Sequence, residues 1–123
     1  MKVKILLVDD EPEVLEFLGR RLEKHGFEVF TAADGVHGLE VARAQLPDLI
    51  LLDITMPNKD GMTMLRELKE DGATVKIPVV MVTAKSASDA IFEGQKFGAT
   101  DYMIKPIDFD QLLKYVRRYT PEF

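Results

Sequence analysis

The sequence predicts an α/β domain of the (βα)5 type, a doubly wound five-stranded parallel sheet with helices on both faces in three layers. Three observations lead there. Short apolar runs alternate with segments of helical spacing from one end of the chain to the other. The third run, residues 49–53, is apolar on both of its faces, as a strand must be when helices cover both sides of the sheet. Four of the five strand-like runs also end, on their last or next residue, in a polar group. Residues 5–8 lead into Asp9 and Asp10, 49–52 into Asp53, 78–82 into Thr83, and 102–104 into Lys105 and Pro106. In a parallel sheet the carboxyl ends of all strands share one edge, and ligands bind in the crevice outside it.

Taken in order, the first strand gives way to a helix whose first turn accommodates Pro12, where a missing N–H is harmless. Val14, Leu15, Leu18 and Leu22 recur at helical spacing, and Gly26 after His25 is a stop. Residues 27–30 alternate as a short second strand. Asp34-Gly35 is a turn, and Val36, Leu39 and Ala42 mark a weaker helix ending before Leu46-Pro47-Asp48. After the third strand comes a loop over residues 56–61, then a helix carrying Met62, Leu65 and Leu68. The fourth strand spans 79–82. A helix over 88–97 ends at Gly98, with Ala90, Gly94 and Phe97 inward and Phe92 nearly opposite. The fifth strand, 101–104, breaks at Pro106, and the last helix places Leu112, Leu113, Val116 and Tyr119 on one face. The expected crossovers are right-handed. We expect one domain over residues 1–119, a tail over 120–123, and no attached output domain.

Bulk properties narrow the function. The chain has 123 residues, 46% of them apolar, enough for one real core. Asp plus Glu outnumber Lys plus Arg by 21 to 16, a net charge of -5 that argues against a general nucleic-acid surface. No apolar run approaches the roughly 20 residues of a membrane span, and the start has no signal-peptide pattern. The absence of cysteine excludes disulfides, thiolate metal sites and thiol nucleophiles. A cytoplasmic location fits these facts.

The residues at the strand ends have a chemistry of their own. Asp9 and Asp10 can both bend toward the crevice where the strand opens into a loop, although Asp10 or Glu11 could instead cap the helix at Pro12. Adding Asp53 makes a costly cluster, because two unit charges 4 Å apart repel by about 4 kcal/mol at an effective dielectric of 20. Such a cluster binds protons or a cation, and oxygen-only ligands favour Mg²⁺ or Mn²⁺ over Zn²⁺. Thr83, next to the small Ala84, can offer its hydroxyl to an oxyanion. Lys105 precedes a proline, which turns the chain and is where a cis peptide can occur. Its ammonium can neutralise a carboxylate or a phosphoryl oxygen. A flavin carrier of the same fold class would suffer repulsion from Asp9-Asp10-Glu11, and no Gly-x-x-x-x-Gly-Lys is present for a nucleotide-binding loop.

An acidic pair after strand one, Asp53 after strand three, Thr83 after strand four and Lys105-Pro106 after strand five resemble the receiver domain of two-component response regulators, of the single-domain chemotaxis or sporulation-relay type. Pro57 and Gly61 match that family's loop after the acceptor. The resemblance implies a flavodoxin-like sandwich with strand order 2-1-3-4-5 and a cis Lys105-Pro106 peptide. It implies that Asp53 accepts a phosphoryl group, that Asp9, Asp10, Asp53 and the Thr55 carbonyl bind Mg²⁺, and that Thr83 and Lys105 bind phosphoryl oxygens. Tyr102 matches the aromatic switch position, moving with Thr83. Thr55 and Lys85 occupy the positions that tune dephosphorylation, and neither completes an amide-plus-carboxylate pair, so slow to moderate self-dephosphorylation is expected. Such a domain catalyses its own phosphorylation and dephosphorylation but serves mainly as a signalling switch.

The implied partners are a sensor histidine kinase or histidine phosphotransfer protein and a downstream effector protein, with no direct nucleic-acid binding and no membrane insertion. Phe92, Tyr102 and Tyr115 would form an aromatic patch on the face of the fourth helix, fifth strand and fifth helix. Lys96 and Asp110 carry signs opposite to those usual in receivers that dimerise to bind DNA, which favours docking to a separate protein; a monomer or a phosphorylation-dependent dimer is expected. Two other readings stay open: a receiver cut from a larger transcriptional or hybrid-kinase regulator, and a docking module that is not phosphorylated.

Overall fold

The structure, a computed structural model, describes residues 2–54, 61–83 and 88–120. Five strands, β1 (Lys4–Val8), β2 (Glu28–Ala32), β3 (Leu49–Asp53), β4 (Val79–Thr83) and β5 (Asp101–Ile104), alternate with five helices. The helices are α1 (Pro12–Lys24), α2 (Gly35–Gln45), α3 (Gly61–Glu70), α4 (Ser88–Lys96) and α5 (Phe109–Tyr119). All strand pairs are parallel, in the order β2-β1-β3-β4-β5. This is the expected flavodoxin-like architecture.

Successive strand residues point to opposite faces, so the sheet feeds two cores. Ile5, Leu7, Leu49, Leu51, Val80 and Val82 face one side, where Leu18 and Leu22 of α1 and Leu112, Leu113 and Val116 of α5 cover them. Leu6, Val8, Ile50, Leu52, Val79 and Met81 face the other, under Leu39 of α2 and Met64, Leu65 and Leu68 of α3. Every residue of β3 and β4 is buried, which accounts for their unbroken apolar runs. α4, through Gly94, and Phe97 just past its end complete the second layer; a Cβ at Gly94 would collide with the Met81 side chain.

Pro12 lies in the first turn of α1 as expected, and Gly26 follows that helix at φ +92°. Two expectations need correction. The second strand runs to Ala32, two residues past the alternating stretch, because Ala32 is itself buried in the second core. In α2 the stripe through Val36 is displaced: Val36 is 49% exposed, and Gly35 and Gly38 take inward positions beside Leu39 and Ala42. A Cβ on Gly38 would come within about 3 Å of Met64 and Val8, so close packing removes the side chains that periodicity needs. At the other end of the chain, Thr120 is buried and its hydroxyl donates to the Val116 carbonyl at 2.6 Å, so ordered structure reaches one residue past 119. The rest of the expected tail, 121–123, lies outside the described residues. Among the described residues no helix is long and apolar enough to cross a membrane.

Candidate functional site

The β1, β3, β4 and β5 ends meet along one edge. Asp9 follows β1 and keeps its main chain in the sheet by donating its N–H to the Ala32 carbonyl at 3.1 Å. Its Oδ1 accepts the Glu11 N–H at 2.9 Å, which folds the chain back toward the crevice. Asp53 is the last residue of β3 and only 1% exposed, and Thr83, the last of β4, is fully buried. The ladder continues past β5: the Lys105 N–H donates to the Thr83 carbonyl at 2.8 Å, keeping Lys105 in register. The Lys105–Pro106 peptide is cis, as expected.

These constraints bring the charged atoms together. Asp9, Asp10 and Asp53 each offer a carboxylate oxygen, all within 4.8 Å of one another; Asp9 and Asp53 are buried and Asp10 is exposed. Lys105 Nζ stands 2.9 Å from Asp53 Oδ2, 3.5 Å from Asp9 Oδ2 and 3.6 Å from Glu11 Oε1. The donor set is oxygen only, which suits a hard divalent cation. Burial pushes the Asp9 carboxyl above its ordinary range; the Glu11 N–H and the Lys105 charge oppose this, and Asp53 adds to it. For Lys105, burial favours the neutral amine, but the hydrogen bond and charge of Asp53, then Asp9 and Glu11, hold its pKa above the ordinary lysine value. Among the described residues the arrangement is an excess of negative charge with Lys105 set into it.

The helix-capping role that the sequence allowed for Asp10 or Glu11 is not adopted by Glu11. It is the N-cap residue of α1, but its side chain makes no capping hydrogen bond. Gly61 opens α3 directly against the end of β3, where a Cβ would collide with the main chain of Asp53 and Ile54. Tyr102 is half-buried against the second core, Tyr115 is half-buried against the first, and Phe92 is 74% exposed. Tyr115 has its pKa raised by burial and then by Asp101, with a smaller contribution from Tyr102, which puts the two tyrosines in one electrostatic neighbourhood. Thr55, Pro57 and Lys85 lie outside the described residues.

Sequence reasoning overlooked two residues. Glu11 is a partner of Lys105, and Asp101 ties β5 to the end of α5. One Asp101 oxygen accepts the Tyr102 N–H at 2.8 Å; the other accepts the Tyr119 hydroxyl at 2.6 Å and lies 3.4 Å from Arg118. Spacing along the chain carries no signal for either contact.

Residues 5–117 match the response regulator receiver domain, and the chain belongs to that family, the receivers of two-component signalling. It is similar to protein PilH of Pseudomonas aeruginosa, 42% identical over 113 residues that cover 92% of this chain and 93% of PilH. It is also 42% identical over 120 residues to the response regulator PleD of Caulobacter vibrioides, covering 98% of this chain but 26% of PleD. Among solved structures, the Vibrio cholerae chemotaxis protein CheY4 superposes with a TM-score of 0.91 at 30% identity, covering 97% of this chain and 99% of that one.

Proposed function

We propose that Asp53 accepts a phosphoryl group from the phosphohistidine of a sensor kinase or phosphotransfer protein, and that the modification switches the face formed by α4, β5 and α5. One observation carries the proposal: Lys105 Nζ lies 2.9 Å from Asp53 Oδ2 at a sheet edge where three carboxylates converge. Asp9, Asp10 and Asp53, with the Thr55 carbonyl, would hold Mg²⁺ or Mn²⁺, which when bound supplies positive charge against the transferring oxygens. An Asp53 oxygen forms the new bond to phosphorus as the bond from phosphorus to the donor nitrogen breaks. Lys105 offsets charge gathering on the phosphoryl oxygens, as preorganised cations do. The product carries roughly two negative charges at neutral pH, by analogy with phosphorylated hydroxyls. Thr83 moves toward those oxygens, and the Tyr102 ring turns into the space it leaves.

The effector then meets an altered patch of Phe92, Tyr102 and Tyr115. The signs of Lys96 and Asp110 favour a separate protein partner over a DNA-binding dimer, and the cytoplasm is the compartment where the donor is found. Thr55 and Lys85 suit slow to moderate self-dephosphorylation. The match to PleD over a quarter of its length supports a second reading in which this receiver serves a longer regulator. Labelling with acetyl phosphate, followed by mass spectrometry, tests acceptance at Asp53. A chain that stays unlabelled in the presence of Mg²⁺ is a docking module.

A further inference from the structure

We infer that Glu11 is a specificity-determining residue for the phosphoryl donor, disfavouring small multiply charged anions relative to donors of lower charge. The inference rests on Asp53 being the acceptor. Glu11 is fixed at its main chain on both sides: its N–H donates to Asp9 Oδ1, and its carbonyl accepts from the N–H groups of Val14 and Leu15. A carboxylate at a helix start normally gains from the exposed N–H groups there. That of Glu11 makes no capping bond and instead stands 3.6 Å from Lys105 Nζ.

Its side chain is 55% exposed. It sits on a cavity of about 470 Å³ that reaches Lys105 along Val14, Phe17 and Ile107. Lys105 lies closest to Asp53, at 2.9 Å, and is shared between Asp9 at 3.5 Å and Glu11 at 3.6 Å, so one cation faces three carboxylates and only partly offsets Glu11. A donor whose phosphoryl oxygens reach Lys105 therefore comes within the field of an outward carboxylate.

Two small donors separate the effect of charge from the chemistry. With acetyl phosphate, a dianion, the Asp53 carboxylate forms an oxygen–phosphorus bond and acetate leaves with the electron pair of the broken bond. With phosphoramidate, a zwitterion of net single negative charge, the same bond forms and neutral ammonia leaves, already carrying its proton. Repulsion scales with the product of charges, so relieving it helps the dianion about twice as much on a logarithmic scale.

The test measures Asp53 labelling by mass spectrometry at Mg²⁺ saturating for each variant. Glu11→Gln should raise the second-order rate constant about fourfold for acetyl phosphate and about twofold for phosphoramidate. Glu11→Lys should extend both gains in the same ratio, and added salt should shrink them as screening shortens the range. Equal changes for the two donors, no change, or slower labelling by either would overturn the inference. If neither donor labels Asp53 in the wild type, it is the parent reading that fails. Circular dichroism of each variant checks that the fold is kept.

Discussion

Lys105 and Asp53 stand 52 residues apart in the chain, and their side chains meet at 2.9 Å on the carboxyl edge of the sheet. The lysine is held in register by the Thr83 carbonyl, and the aspartate is the last residue of a fully buried strand. The pair therefore needs no rearrangement to bring a cation against the Asp53 carboxylate.

Replacing Lys105 by Met leaves the buried Asp53 carboxylate without this cation. We expect a loss of about 2 kcal/mol, below the full cost of breaking a buried pair because the lysine is 27% exposed. The raised lysine pKa means the stabilisation is complete at neutral pH and is lost only as pH climbs past 10.5 and through the raised folded value. The same variant should bind Mg²⁺ severalfold more tightly, since the cluster loses a competing positive charge. Urea unfolding and calorimetric titration measure the two effects, and weaker Mg²⁺ binding would count against this electrostatic picture.

Asp9→Asn should act in the opposite direction on stability. A carboxyl whose folded pKa is raised binds its proton more tightly when folded, so it costs stability progressively as pH rises from 3.8 through the raised value, and fully above it. Removing the charge should stabilise the metal-free protein by about 1 kcal/mol at pH 7, while the amide oxygen can still accept the Glu11 N–H. The gain should vanish at acid pH, and Mg²⁺ binding should weaken. Thermal unfolding at pH 4 and pH 7 checks the sign.

Gly61 and Gly94 both admit no Cβ, but for different reasons. At Gly61 the obstacle is the main chain of Asp53 and Ile54; at Gly94 it is the flexible end of Met81. Gly61→Ala should therefore lose about 2–3 kcal/mol despite its better helix propensity. Gly94→Ala should stay within about 1 kcal/mol of the wild type as Met81 shifts. Equal costs by urea titration would mean that the α3 contact is not rigid.

Phe92 is 74% exposed, and its removal should leave the fold and Asp53 labelling unchanged. Phe92→Ala should weaken effector binding about tenfold, the scale of losing one aromatic anchor at an interface. Surface-captured phosphorylated protein titrated with the effector reads this out, and unchanged affinity would remove Phe92 from the binding face.

The fold was legible because five apolar runs and their intervening helices follow distinct periods, and β3 and β4 are buried along their whole length. The least readable element was α2, where Gly35 and Gly38 pack inward without side chains and leave exposed Val36 to mislead the pattern. At the site, Asp9, Asp10, Asp53, Thr83 and Lys105 were readable because strand direction alone brings strand ends to one edge. The Glu11–Lys105 contact depends on where a loop aims a flexible side chain. The Asp101–Tyr119 hydrogen bond depends on how the last turn of α5 lies over β5. Neither follows from sequence spacing.

The most direct test of the central claim is intact-mass and peptide analysis after incubation with acetyl phosphate and Mg²⁺. Metal-dependent acceptance at Asp53 requires one phosphoryl adduct on that residue, absent in Asp53→Asn and absent when EDTA is in excess. An adduct on another residue, persistence of the adduct in Asp53→Asn, or labelling without a divalent cation would contradict it.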